Sequence, residues 1–308
     1  MNKLVHLAGI LFSTIFGFSF MFSKIALNYV SPMGLIAYRF LIAFIVFEVL
    51  RQCKVVRIRF DPTFFKMLFL VALFQPILYF IFETFGLRYT QSSEAGMMIA
   101  LIPIFVSIFS SIILKEKTKK LQIFFILLSV SGVIYIQASK SNMGFDFELL
   151  GFVLLLGAVI SAALFNIASR SASKNIKPYE LTYFMMLFGA VVFNVLYVVQ
   201  LLFEKRPLDY INNMLHPQIV FPVLYLGIIA SIVGFFLVNF ALSKLPAHVS
   251  SIYANLATIV AIIAGALILD ESIATYHIIG SAMIIIGVYG TVSLNKGIKK
   301  FRKTTLNS

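Results

Sequence analysis

Charged residues are scarce in this chain. Asp, Glu, Lys and Arg make up 12% of its 308 residues and hydrophobic residues 60%, whereas a soluble domain is about 25% charged. A soluble protein of this size needs a polar shell, because much of its surface stays in contact with water. The shortage of charge therefore excludes a soluble enzyme, a nucleic-acid-binding domain and a disordered chain, and it indicates an integral membrane protein.

Other absences narrow the chemistry. Cys53 is the only cysteine, so no intramolecular disulfide can form, and tryptophan is missing although Phe (33) and Tyr (13) are abundant. The sequence has no GxxxxGK[ST] loop for nucleotide phosphates, and its four histidines show no HExxH spacing. We therefore predict no cofactor, no metal site and no ATP-binding subunit.

Long apolar runs are what the chain has instead. Because a bilayer core about 30 Å thick needs roughly 20 helical residues, each run is long enough for a membrane helix. The first run exceeds the apolar part of a signal peptide, which has about 7–15 residues, so we expect it to be retained. We predict an all-α protein with ten transmembrane helices, at about 5–27, 34–50, 64–87, 92–114, 119–138, 148–169, 179–203, 218–242, 247–269 and 273–294.

The basic residues predict an orientation. If the N-terminus is cytoplasmic, most of the 25 Lys and Arg residues fall on the cytoplasmic side, and only Arg88, Lys140, Lys205 and Arg206 fall outside. This asymmetry follows the positive-inside rule and predicts that both termini are cytoplasmic. The net charge of +13 is then a signal of topology and gives no reason to expect nucleic acid as a partner. The basic tail, 295–308, is expected to contact anionic lipids.

The chain also contains an internal repeat. Residues 100–116 (ALIPIFVSIFSSIILKE) align with residues 255–271 (NLATIVAIIAGALILDE), and Pro32 aligns with Pro178. Two five-helix units follow, at 4–138 and 148–294. Five is odd, so the second unit must enter the membrane from the opposite side, and the two units form inverted repeats of the kind common in secondary transporters.

The motifs of both units resemble one family, the EamA-type members of the drug/metabolite transporter superfamily. The resemblance covers nearly the whole chain and rests on Gly17-Phe18-Ser19-Phe20, Lys24, Pro32, Tyr38-Arg39-Phe40, Pro103 and Leu114-Lys115-Glu116, then on Pro178, Leu245-Pro246-Ala247, Asn255-Leu256, Leu269-Asp270-Glu271 and Gly287-Val288-Tyr289. The second unit departs from the first, with Thr258 in place of Pro103, Asn166 in place of Lys24 and Met185 in place of Arg39. The resemblance implies a ten-helix carrier of small metabolites, often an exporter of amino acids, that is driven by a gradient and not by ATP.

Three ionisable residues lie inside the predicted helices: Lys24, Arg39 and Glu83. A charge in the bilayer centre costs about 2.5–3.5 kcal/mol, so such residues usually have a function. One interpretation is that Lys24 and Arg39 extend to the lipid headgroups and that Glu83 pairs with a neighbouring cation. The other is that the three face a cavity, where Arg39 and Lys24 bind a substrate carboxylate and Glu83 is a candidate for proton coupling.

Uncharged polar residues are the remaining candidates for substrate binding. Tyr79, Asn166, Asn239 and Asn255 lie in helices that are expected to surround a central path. Amides in lipid must find a partner, so hydrogen bonding between helices is the alternative role for each of them. The many phenylalanines of the first helix contact lipid or neighbouring helices, or else line a cavity for aromatic substrates.

Three prolines lie within predicted helices, namely Pro76, Pro103 and Pro222. Each removes a backbone hydrogen bond, so each is either a hinge candidate or a tolerated kink.

The sequence thus predicts a multi-pass protein of the cytoplasmic membrane that moves a small metabolite by secondary active transport, in the direction of export. A membrane-embedded binding or scaffold protein is the alternative, followed by an intramembrane enzyme. An enzyme is disfavoured because only Glu83 lies deep in the membrane, without a second carboxylate or a paired nucleophile.

Overall fold

A computed structural model describes residues 3–59, 61–114, 120–139, 147–245 and 247–304, which form helices and no strand. The lysines at 115–119, Lys140, Pro246 and the last residues of the predicted tail, 305–308, lie outside the described residues. The helices are α1 (Lys3–Leu27), α2 (Pro32–Gln52), α3 (Pro62–Tyr89), α4 (Ser92–Ile99 and Ile102–Leu114), α5 (Lys120–Ala138), α6 (Phe147–Ala172), α7 (Pro178–Phe203), α8 (Pro217–Lys244), α9 (Ala247–Ser250, Ser251–Tyr253 and Ala254–Ile268) and α10 (Thr275–Thr304).

Seven of these helices are long and apolar enough to cross a membrane: α1, α2, α3, α4, α6, α7 and α8. The apolar parts of the others, Ile123–Ile136, Asn255–Ile268 and Thr275–Gly287, are shorter than a typical span. The count of ten spans and the orientation of the termini stay predictions. One boundary differs from the sequence analysis, because α10 continues past residue 294 into the predicted tail.

Prolines mark where several helices begin. Pro32, Pro62, Pro178 and Pro217 each occupy the first turn of a helix, where the missing N–H would have had no acceptor within the helix. At the start of α2, Ser31 also accepts a hydrogen bond from the N–H of Gly34 (3.2 Å).

Four helices are interrupted. Six residues of α3, Leu73–Leu78, adopt π-helical geometry around Pro76, and Gln75 leaves helical φ/ψ angles altogether. The same geometry recurs in α8 over Tyr225–Gly234, shortly after Pro222. In α4 the helix stops at Ile99 and restarts at 102, whereas α9 contains a 3₁₀ turn, Ser251–Tyr253. Pro103 thus lies in the first turn of a new helical segment, and the sequence analysis had expected it inside a continuous helix.

The connection from 204 to 217, which lies between the seventh and eighth predicted helices, contains a short helix, Asp209–Met214. Its Tyr210 is held from two sides, since its hydroxyl donates to Oδ1 of Asn194 (2.6 Å) and its carbonyl accepts from the hydroxyl of Tyr38 (2.7 Å). These contacts with α2 and α7 stabilise a segment too short to be helical by itself.

The two predicted units interleave. The most extensive contacts join a helix of one unit with a helix of the other: α5 with α10, α3 with α6, α2 with α7, and α1 with α9. Where α5 meets α10, a Cβ atom on Gly132 would lie 2.8 Å from the carbonyl oxygen of Gly280, and the reverse distance is the same. Only glycine permits backbones to approach this closely.

Candidate functional site

A central cavity lies between the interleaved units, with an empty volume of about 730 Å³ that includes its opening to solvent. Seven helices line it, α1 to α4 from the first unit and α6, α8 and α9 from the second. Three of the four interruptions border it, because Gln75, Ile99, Ile102 and Ser251 are lining residues. Interrupted helices beside a cavity are typical of substrate sites in membrane carriers.

Arg39 is the cation of the cavity. It comes from α2, is only 2% exposed, and donates from Nε to Oγ of Ser231 on α8 (2.8 Å). Its guanidinium lies over the ring of Phe80, 4.2 Å from the ring centre, which stabilises a buried cation. This hydrogen bond uses Nε alone, so the two terminal nitrogens keep the fork that binds a carboxylate with two parallel bonds.

Glu83 is the anion of the same cavity. It comes from α3 and is also 2% exposed, and its Oε2 accepts a hydrogen bond from the hydroxyl of Thr84 (2.9 Å). Arg39 and Glu83 attract each other electrostatically, yet among the described residues they form no direct ion pair. Tyr79 and Gln75 lie on the same stretch of α3, and both line the cavity.

The second unit contributes uncharged groups. Asn166 of α6 lines the cavity and donates from Nδ2 to the carbonyl of Ala162 (2.8 Å), one turn earlier in the helix. Ser250 and Ser251 lie on the cavity wall at the irregular start of α9. The sequence analysis did not select these two serines; their position beside the repeat of the α4 motif is the signal that could have found them.

Aromatic rings form much of the wall. Phe80 lies edge-on to Phe40 (5.0 Å between ring centres) and to Phe235 (6.0 Å), and Phe16 packs on Phe235 at 5.3 Å. Phe12 and Phe20 add two further rings from α1. Part of the phenylalanine pattern in the first helix therefore faces the cavity.

Three predicted substrate-binding residues lie outside the lining of this cavity. The ammonium of Lys24 donates to the carbonyls of Leu87 (2.9 Å) and Thr90 (2.5 Å), at the C-terminal end of α3, where a cation is favoured by the helix dipole. Asn239 is fully buried between α6, α7 and α8. Asn255 has a buried Oδ1 without a hydrogen-bond partner in the described structure.

The structure therefore brings together Arg39, Glu83, Tyr79 and Asn166 from the predicted set. A fixed cation and a fixed anion in one apolar, aromatic cavity can hold a molecule that carries both charges, because each end then meets an opposite charge away from water. Of the hinge candidates, Pro76 and Pro103 each follow a lining residue directly, whereas Pro222 lies outside the lining.

Comparison with known proteins agrees with this architecture. The chain is 39% identical over 299 residues to the Uncharacterized transporter YcxC of Bacillus subtilis (strain 168), an alignment that covers 96% of this chain and 95% of the relative. It is 25% identical over 291 residues to an Uncharacterized transporter of Archaeoglobus fulgidus, covering 94% and 98% of the two chains. A solved crystal structure superposes with a TM-score of 0.66 at 18% identity, over 97% of this chain and 99% of the other, which shows a shared fold.

The profile of the EamA-like transporter family matches twice, at residues 3–137 and again at residues 149–293. Together with the relatives named as transporters and the apolar helices, this match identifies a multi-pass membrane transporter. The chain belongs to the EamA-like transporter family.

Proposed function

We propose that the protein is a secondary active carrier that moves a small zwitterionic metabolite of the amino-acid type across the cytoplasmic membrane by alternating access, in the direction of export. Arg39 and Glu83 carry this proposal, since both are 2% exposed and both line the same cavity. A buried charge is costly in a membrane protein, so a charge that is retained there usually has a function.

In the proposed complex, Arg39 binds the substrate carboxylate and Glu83 binds its ammonium group. The terminal guanidinium nitrogens supply the two parallel hydrogen bonds, while Ser231 holds Nε and fixes the plane of the fork. Tyr79 and Asn166 add hydrogen-bonding groups from opposite units. Because Phe12, Phe16, Phe20, Phe80 and Phe235 form the wall, we expect a substrate with an apolar or aromatic side chain.

Alternating access fits the way that the helices are built. Both predicted units supply lining residues, and the interruptions in α3, α4 and α9 border the cavity. Helical segments on either side of an interruption can tilt separately, so Pro76 and Pro103 are the proposed hinge residues at the cavity. With both termini cytoplasmic, as the basic residues predict, the cavity would open in turn to the cytoplasm and to the outside.

Glu83 offers a route to energy coupling. A buried carboxylate can bind either a proton or the substrate ammonium, and the two then compete for one site. A proton that enters from outside would displace the substrate, which is the exchange that an exporter needs.

The test is counterflow in vesicles that contain the purified full-length protein and a pooled, labelled set of amino acids and related metabolites. We expect exchange of zwitterions with apolar side chains, with a rate that depends on the proton gradient. Arg39→Ala should reduce this exchange by about 100-fold, because a charge-assisted bidentate contact contributes about 1.5–3 kcal/mol.

Arg57→Ala is the matched control, because Arg57 is exposed in the connection between α2 and α3. Equal loss in both variants, or loss of the Arg39 variant from the membrane, would assign Arg39 a structural role. Conversion of a pool member to a new compound would favour a membrane enzyme. No exchange of any zwitterion under a proton gradient of either sign would contradict the proposal and favour the scaffold alternative.

A further inference from the structure

A second group of titratable side chains lies away from the central cavity, where the N-terminal ends of α4 and α10 meet. Glu94 is the third residue of α4 and His277 the third residue of α10. Their facing atoms, Oε1 of Glu94 and Nε2 of His277, are 3.6 Å apart, and the two side chains are 11% and 3% exposed. Neither residue lines the central cavity.

Each of these side chains also binds the start of its own helix. Oε2 of Glu94 accepts from the N–H of Gln91 (3.4 Å), and Nδ1 of His277 accepts from the N–H of Ala274 (3.1 Å). A ring nitrogen that accepts an N–H carries no proton, so the neutral imidazole has its proton on Nε2 and directs it toward Glu94. At 3.6 Å the contact between Nε2 and Oε1 is electrostatic and longer than a hydrogen bond, and Nε2 has no hydrogen-bond partner in the described structure.

Charged groups from the neighbouring elements surround the pair. Lys24 on α1 interacts electrostatically with both Glu94 and Glu271, and the carboxylate of Glu271 accepts the N–H groups of Ser92 (2.7 Å) and Ser93 (2.9 Å). Two carboxylates thus face one ammonium. Among the described residues, further titratable groups near this end include Tyr276, whose ring centre lies 4.3 Å from that of His277, and the exposed Asp270 and Tyr135.

Taken together, the geometry points to a proton-binding site at Glu94 and His277 that couples proton uptake to the separation of the N-terminal ends of α4 and α10. One proton from water binds Oε1 of Glu94, and no electrons move. His277 is the poorer acceptor, because its unprotonated nitrogen, Nδ1, already accepts the N–H of Ala274. This inference rests on the proposed function only for the link between opening and transport.

Protonation weakens the contact for a geometric reason. Protonation removes the negative charge that attracts Nε2–H, and an O–H on Oε1 would face a nitrogen that already carries a proton, so the attraction across the contact becomes weaker. The closed contact also buries the hydroxyls of Ser92 and Ser93 without hydrogen-bond partners in the described structure. Water reaches those hydroxyls when the ends separate, which favours the open state once the proton has bound.

The position suits an exporter. Glu271 belongs to the acidic turn, 270–272, that the distribution of basic residues places outside. The proton would therefore arrive from outside, and its uptake would open that end of the α4–α10 contact.

The proton site can be tested without any transport measurement. In full-length protein in lipid nanodiscs with ¹⁵N-labelled histidine, the chain's four histidines give few signals, and His277→Asn identifies the one from His277. We expect the ring signals of His277 to show a proton on Nε2 and none on Nδ1, and the Nε2 shift to change in a single step when Glu94 binds a proton. Glu94→Gln should abolish that step. An Nδ1–H tautomer, or the same step in Glu94→Gln, would overturn the proposal.

The opening is tested at constant pH. Ser93→Cys in a Cys53→Ser background places a thiol at the buried contact, and Glu94→Gln imitates the protonated carboxyl. We expect a water-soluble thiol reagent to label Ser93→Cys about tenfold faster when Glu94→Gln is also present. Glu180→Gln is the matched control, because Glu180 is a buried carboxylate that accepts the N–H of Lys177 (3.1 Å) at the start of α7 and has no imidazole partner.

Equal labelling rates with and without Glu94→Gln would overturn the coupling, as would an equal increase with Glu180→Gln. If both tests succeed and vesicles show no exchange, the proton site stands and the carrier function fails. If exchange occurs and either test fails, the carrier function stands and the proton site is wrong.

Discussion

The two units use the same backbone plan for different purposes. α3 and α8 both have 28 residues, begin at a proline and contain a π-helical stretch. On α3 the cavity side carries Gln75, Tyr79 and Glu83, whereas the α8 residue that the repeat aligns with Glu83 is Val238. Both helices therefore share the irregular backbone, but of the two only α3, in the first unit, carries a charged side chain on the cavity wall.

Polar groups in the second unit are used for packing. Asn239 accepts at Oδ1 from the hydroxyl of Ser169 (2.8 Å) and donates to Oγ1 of Thr182 (3.0 Å) and to Sδ of Met185 (3.5 Å). Met185 is the counterpart of Arg39. In the first unit this position carries a cation that lines the cavity, whereas in the second unit its side chain accepts a hydrogen bond within a buried network. The comparison separates residues that should affect transport from residues that should affect stability.

After Arg39→Ala, the largest effect is expected for Glu83→Gln. The amide keeps the size of the side chain but loses the charge that binds the substrate ammonium, so transport should fall by roughly 10–100-fold, equivalent to about 1.5–3 kcal/mol. The remaining transport should depend less steeply on pH, because only the proposed site at Glu94 and His277 would still bind a proton. Initial rates in vesicles between pH 6 and 8 measure both effects, with the exposed Glu204→Gln as control. If Glu83→Gln kept the rates and the pH dependence of the wild type, Glu83 would not belong to the proposed site.

A smaller effect, and of a different kind, is expected for Asn239→Ala. This change leaves the hydroxyl of Ser169 without its acceptor and removes one donor from Oγ1 of Thr182, which still donates to the carbonyl of Pro178 (2.9 Å), so the free energy of unfolding should fall by about 1–3 kcal/mol. Transport per folded molecule should stay within about twofold. Thermal denaturation of the detergent-solubilised protein checks the first part, and the exposed Asn212→Ala is the control. Normal stability with abolished transport would reverse the proposed contrast between the two units.

The smallest effect is expected for Ser231→Ala, which removes the oxygen that accepts from Nε of Arg39. Arg39 keeps its charge and its contact with Phe80, so substrate affinity should drop about fivefold, the equivalent of about 1 kcal/mol. Competition binding measures the change, and Ser272→Ala, at an exposed position, should leave affinity unaltered. A loss as large as that of Arg39→Ala would show that Ser231 itself contacts the substrate.

The sequence predicted features that depend on local pattern. The apolar runs gave the helical segments, and the family motifs gave the EamA-like family that the profile match confirms. The shift of 155 residues that aligns 100–116 with 255–271 also aligns Glu83 with Val238, so the sequence itself contains the asymmetry of the site.

Features that depend on distant partners were not accessible in this way. Lys24 binds the carbonyls of Leu87 and Thr90, and backbone carbonyls leave no signature in a sequence. Glu94 and His277 were not predicted because they are 183 residues apart in the sequence, and nothing local shows that their two helices begin side by side. The local clue is that each is the third residue of its helix, where side chains often bind the first N–H.

One consequence follows from the two helices that stay out of the cavity wall. Among the described lining residues none comes from α5 or α10, which contact each other closely at Gly132 and Gly280. In evolutionary terms, the residues of the α5–α10 contact can then be selected for stability alone. Mutations of the lining residues can alter which molecule is carried, while the contact between α5 and α10 continues to join the two units.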